Sequence, residues 1–141
     1  MLERRIEIRW RDMDAYGHVN NAVYLNFLEE VRDAWVQQVL GPVSGNTWDF
    51  VLARVAIDYR SELTQDDGAI AVRCWLDSIG RSSFRTREEI VKLDGTLSAE
   101  AESVVVPRDP ETGASRPLRE AERAVLEAEL TVADTERLPR D

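Results

Sequence analysis

Cysteine and histidine are almost absent from this 141-residue chain, each occurring once, as Cys74 and His18. A lone cysteine excludes an internal disulfide. Cys74 also shares an alternating stretch with Ile70, Val72 and Leu76, where a buried, inert thiol is expected rather than a nucleophile. A lone histidine leaves a Ser-His-Asp triad one possible base, and no G-x-S-x-G elbow accompanies any serine. Long apolar runs are missing too: none approaches the ~20 residues needed to span a bilayer. The charged start Met1-Leu2-Glu3-Arg4-Arg5 is unlike a signal peptide, so a cytoplasmic location and no membrane partner are expected. Basic charge is scarce, with 18 Lys and Arg against 27 Asp and Glu. A net charge of -9 argues against nucleic acid, because phosphate binding needs a clustered positive face. Much of the acidity lies late in the chain: 12 basic and 15 acidic residues fall in 1–92, against 6 and 12 in 93–141.

What is present suits one globular domain over residues 1–141, with 43% hydrophobic and 32% charged residues and no repeat, low-complexity tract or interdomain linker. Tyr24, Phe27, Leu28, Val31, Ala34, Trp35, Gln38 and Val39 recur at three- and four-residue steps, with Glu29, Glu30, Arg32, Asp33 and Gln37 between them. This spacing predicts one amphipathic helix, capped by Asn20 or Asn21 and stopped by Gly41-Pro42. Ile6, Ile8 and Trp10 mark a first strand. Further strands are expected over Phe50–Leu63, Ala69–Ile79, Phe84–Lys92 and Thr96–Pro107, joined by short turns and therefore largely antiparallel. In the second strand Val51, Val55, Ile57 and Tyr59 are assigned to one face. In the fourth, Phe84, Thr86, Glu88 and Ile90 alternate with arginines. The result is an α+β domain with a core at about 3–108, a short helix at about 117–130, and a loose end from Thr131.

The most informative stretch is Arg11-Asp12-Met13-Asp14-Ala15-Tyr16-Gly17-His18-Val19-Asn20-Asn21, directly before the long helix. A helix N-terminus offers unpaired N–H groups and partial positive charge, which can polarise a carbonyl oxygen lying outside it. A carboxylate one short loop away adds the group that attacks a carbonyl or activates water. Each residue also has a plainer role: Asp14 can pin the loop, His18 can brace the helix entry, and Tyr24, Phe27 and Leu28 can be simple core. Asp12, Asp14 and His18 could together hold a divalent metal, but no second cluster supports them, and neither a metal nor an organic cofactor is expected.

Asp12-x-Asp14-x-x-Gly17-His18-Val19-Asn20-Asn21-x-x-Tyr24-Leu25 resembles the opening motif of hotdog-fold thioesterases of the 4-hydroxybenzoyl-CoA thioesterase type. The order of strand, motif loop, long helix and several strands extends the resemblance over about Glu3 to Arg108. It implies a five-stranded antiparallel sheet wrapped around the helix. It also implies Asp14 as the catalytic carboxylate, Asp12 as secondary, and a backbone N–H near Asn21 as the site of the thioester oxygen. Gly17, His18, Asn20 and Tyr24 would then contact substrate. Arg81, Ser82 and Ser83, in a turn between strands, would meet the coenzyme A phosphates, with Arg60 and Arg85 as further candidates. The implied activity is hydrolysis of acyl-CoA thioesters by at least a homodimer, and in many relatives a homotetramer. Acyl-ACP thioesterases are a neighbouring comparison: their acid and His match Asp14 and His18, but Tyr16 stands where they carry Asn. A non-catalytic hotdog that binds acyl ligands is the alternative of another class. Dehydratase chemistry is disfavoured because its usual histidine-acid pairing has no counterpart.

Overall fold

The computed structural model describes residues 1–136. Strand β1 (Leu2–Glu7) leads through a 3-10 turn (Trp10–Asp12) and the motif loop into helix α1 (Asn21–Ser44). Four more strands follow, β2 (Phe50–Tyr59), β3 (Ala69–Ile79), β4 (Phe84–Lys92) and β5 (Leu97–Pro107), and then helix α2 (Glu120–Glu136). All pairings are antiparallel in one sheet of order β1-β3-β4-β5-β2, with β1 and β2 at its edges. This is the sheet-and-helix arrangement that the motif implied.

Period-two alternation turns one side of the sheet towards α1. Ile70, Val72, Cys74 and Leu76 of β3, Phe84 and Ile90 of β4, and Ala99 and Val105 of β5 are all buried, against Leu28, Val31, Trp35 and Leu40 of the helix. Burial pushes the Cys74 thiol well above its ordinary range, so it stays protonated and unreactive.

Four polar side chains interrupt this apolar layer. Glu88 is fully buried, and Arg32 Nη1 donates to its Oε1 at 3.2 Å and to Ser103 Oγ at 3.1 Å. Thr86 Oγ1 donates to Glu88 Oε1, and Ser103 Oγ to Oε2. Burial raises the Glu88 carboxyl above its ordinary value, opposed by the Arg32 charge and the two hydroxyls. The spacing assigned Arg32 to the polar side of α1, but only 7% of it is exposed because Glu88 draws it inward.

The elements depart from the sequence expectation in five places. Strand β2 ends at Tyr59 rather than running on to Leu63. Trp10 does not extend β1; it lies in the 3-10 turn and is 79% exposed. Gly41-Pro42 does not stop α1, which keeps Pro42 and ends at Gly45. Val43 packs against the core and Ser44 Oγ donates to Glu122 of α2, and these contacts hold the last turn. A bulge between Leu52 and Arg54 shifts the register of β2 by one residue. Val51 therefore does not share a face with Val55, Ile57 and Tyr59, since one extra residue reverses the alternation. Finally, α2 begins at Glu120 and continues through Thr131 to Glu136, so that part of the expected loose end is helical; residues 137–141 lie outside the described residues.

Helix α2 is tied down by a buried acid. Glu122 accepts from Arg116 Nη1 and Nη2 (2.8 and 3.0 Å), Arg119 N–H (2.8 Å) and Ser44 Oγ (2.8 Å). Burial alone would raise its carboxyl, but these donors outweigh it and hold it at about 2. A depressed folded value contributes stability above the unfolded value of 4.5, lost as pH falls through that window to about 2. Glu122→Gln is expected to remove a contribution of about 3 kcal/mol at neutral pH. Thermal melts against pH should show the native protein losing more stability than the variant between pH 4.5 and 2.

Candidate active site

The motif loop is built on backbone hydrogen bonds. Met13 and Val19 form an isolated antiparallel bridge, Asp14 N–H donates to His18 O at 2.8 Å, and Gly17 N–H donates to Asp14 O. Gly17 closes this turn at φ +85°, a region that a side chain disfavours. Gly17→Ala is expected to cost about 1–2 kcal/mol, measured as a lowered melting temperature. Asp12 is buried beneath the loop, accepting from Arg9 N–H and the Arg9 guanidinium, while its carbonyl accepts from Asn20 N–H. Its carboxylate is therefore a structural anchor.

Asp14 Oδ1 accepts from the N–H groups of Tyr16 (2.9 Å) and His18 (3.3 Å), which fixes the carboxylate. Oδ2 has no partner among the described residues. Asn20 caps α1: its Oδ1 takes Ala22 N–H at 2.9 Å and its carbonyl takes Val23 N–H. These bonds leave the N–H of Asn21, the first helical residue, without an acceptor among the described residues. Tyr59 on β2 donates its hydroxyl to Asn21 O at 3.0 Å and meets Tyr24 edge-on, with ring centroids 5.0 Å apart. Tyr24 is 3% exposed and its hydroxyl accepts Leu63 N–H, so it braces the strand end from below.

Asp14, Tyr16, His18, Asn21, Tyr24, Tyr59 and Arg60 line one cleft of about 440 Å³ between the loop, the start of α1 and the end of β2. Asp14 and the first residue of α1 thus line one cavity, and acyl transfer from a polarised carbonyl calls for a carboxylate beside N–H donors.

The model for the thioesterase-like superfamily matches residues 8–130. The chain belongs to this superfamily. The chain is 27% identical over 103 residues to the long-chain acyl-CoA thioesterase FadM of Escherichia coli strain K12, covering 71% of this chain and 77% of FadM. It superposes with TM-score 0.81 on a Thermus thermophilus thioesterase complexed with coenzyme A and Zn, at 31% identity, covering 92% of this chain and 93% of that one. A Bacillus stearothermophilus protein superposes with TM-score 0.80 at 26% identity, covering 91% and 95%. The hotdog fold and the thioester-hydrolase class expected from the motif are those of its relatives.

The remaining candidate residues divide by position. Gly17 and Asn20 shape the loop and cap rather than line the cleft. The His18 ring sits 3.1 Å from Glu62, a residue the sequence did not single out, while its backbone serves Asp14. Arg60 lies in the cleft but is held by Glu100 at 2.8 Å, the contact that raises its guanidinium above the ordinary value. Arg81, Ser82 and Ser83 occupy the β3–β4 turn, next to Leu118, whose N–H donates to Arg81 O. The length of β3, about 35 Å at 3.3 Å per residue, separates them from Asp14. Arg85 pairs with Glu102. Among the described residues no group of three His, Cys, Asp or Glu side chains could hold a metal ion. No helix among them is long and apolar enough to cross a membrane.

Proposed function

We propose that this protein hydrolyses acyl-CoA thioesters, with Asp14 as the catalytic carboxylate and the Asn21 N–H as oxyanion donor. The observation that carries the reading is the division of labour in Asp14: Oδ1 is fixed by two backbone N–H groups while Oδ2 remains free in a cleft shared with Asn21. FadM acts on long-chain acyl-CoA and the Thermus relative holds coenzyme A, which favours CoA as the carrier. An acidic acyl carrier protein would meet a chain of net charge -9.

Two routes fit this geometry. As general base, Asp14 takes a proton from water while the water oxygen bonds to the thioester carbon, and the Asn21 N–H receives the oxyanion. Collapse breaks the C–S bond and the departing thiolate regains a proton. As nucleophile, Asp14 bonds to that carbon and expels the thiolate, and water then cleaves the mixed anhydride.

The β3–β4 turn and Asp14 can serve one CoA only if two chains contribute, so we include a homodimer, or a dimer of dimers, in the proposal. Edge strand β2, where Leu52 and Tyr59 are 44% and 45% exposed, supports it. Sedimentation should give at least twice the 16.1 kDa chain mass, and a monomer would refute that part.

The activity test is thiol release from short, long and aromatic acyl-CoA esters and from acyl carrier protein esters. Turnover of at least one CoA ester is expected. Preference for the carrier protein would reassign the substrate, and tight acyl-CoA binding without turnover would favour a non-catalytic binder.

A further inference from the structure

A second cavity, of about 230 Å³, opens on the same seam between α1 and β2, further along the helix than the Asp14 cleft. Val36, Phe50 and Leu52 line it with apolar surface, together with buried Arg32, half-buried Thr47, and exposed Glu29 and Asp33. Arg32 is more than nine-tenths buried, and its hydrogen bonds to Glu88 and Ser103 both run through Nη1. Nε and Nη2 have no partner among the described residues. The only buried side-chain nitrogen or oxygen among those residues that lacks a partner is Arg116 Nε. The unused Arg32 N–H groups are therefore not sealed in the core, and the cavity that Arg32 lines is where a ligand would meet them.

A pocket that combines apolar walls with free charged donors suits a chain that ends in, or carries, a hydrogen-bond acceptor. A plain hydrocarbon there would strip water from those N–H groups and return nothing. An anionic group would compete with Glu88 for one guanidinium and approach past Glu29 and Asp33, which disfavours carboxylates. Neutral oxygen meets neither obstacle. We infer that this cavity is an acyl subsite, and that the free Arg32 N–H groups select acyl chains bearing a hydroxyl or keto oxygen. Asn21 and Arg32 are eleven residues apart on α1, about 16 Å along the axis, which suits a medium or long chain rather than a single ring. The inference rests on the thioesterase reading and names its substrate class.

The test compares dodecanoyl and hexadecanoyl chains, each with and without a terminal hydroxyl, as CoA esters for kcat/KM and as free acids for calorimetric binding. At one of these lengths the hydroxylated member should be favoured at least about tenfold, the gain of one hydrogen bond to a charged donor. The Arg32→Met/Glu88→Gln double variant should bring the ratio within about twofold of unity. Equal treatment of both members by the native protein, or a preference that survives the double variant, overturns the subsite. If no ester is hydrolysed, the thioesterase reading fails, while the free-acid ratio still decides the subsite.

Discussion

Arg32→Met should be among the most destabilising single substitutions in the core, by about 3–5 kcal/mol at neutral pH, because it leaves the buried Glu88 carboxylate without its counter-charge. At the scale of a 141-residue chain that lowers the melting temperature by about 10 °C or more. The double variant Arg32→Met/Glu88→Gln should recover most of the loss. The new amide would keep partners for the Thr86 and Ser103 hydroxyls, and no buried charge would remain. The pH dependence follows from the raised Glu88 carboxyl. A group whose folded value lies above its unfolded 4.5 contributes stability below 4.5 and loses it as pH rises through the folded value. Without Arg32 that value should rise further, so the single variant should melt closest to native at acid pH and fall away towards neutral. Equal melting of the native protein and Arg32→Met at neutral pH would show that the pair contributes nothing.

Asp14→Asn should lower turnover about 10²–10⁴-fold, the usual contribution of a positioned acid-base group. The substitution is informative because an amide oxygen can still accept from Tyr16 and His18, so the loop keeps its shape. Only the charge and proton affinity at Oδ2 disappear. A smaller effect is expected at His18, whose ring sits beside Glu62 and whose backbone N–H would still reach Asp14 after substitution.

Most of the frame was legible in the sequence because local periodicity dictated it: β3 and β4 match their expected bounds, and the α1 cap is Asn20. The motif loop was legible because Asp14, Gly17 and Asn20 each do local work that their residue types announce. What escaped depends on contacts distant in the chain. Arg32 looks solvated until Glu88, 56 residues away, is placed beneath it. The β2 bulge carries no turn residue to mark it, and the last turn of α1 survives its proline through contacts with the core and α2. Tyr59 and Glu62 belong to the site only because β2 ends beside the loop. The distance between the β3–β4 turn and Asp14 emerges only when the strands are laid out in space.

The most direct test of the central claim is kcat for thiol release from the best acyl-CoA ester, measured side by side for the native protein and for Asp14→Asn with a native-like melting temperature. At least a hundredfold loss is expected. A variant that stays folded and turns over within about threefold of native would contradict the assignment of Asp14 as the catalytic carboxylate.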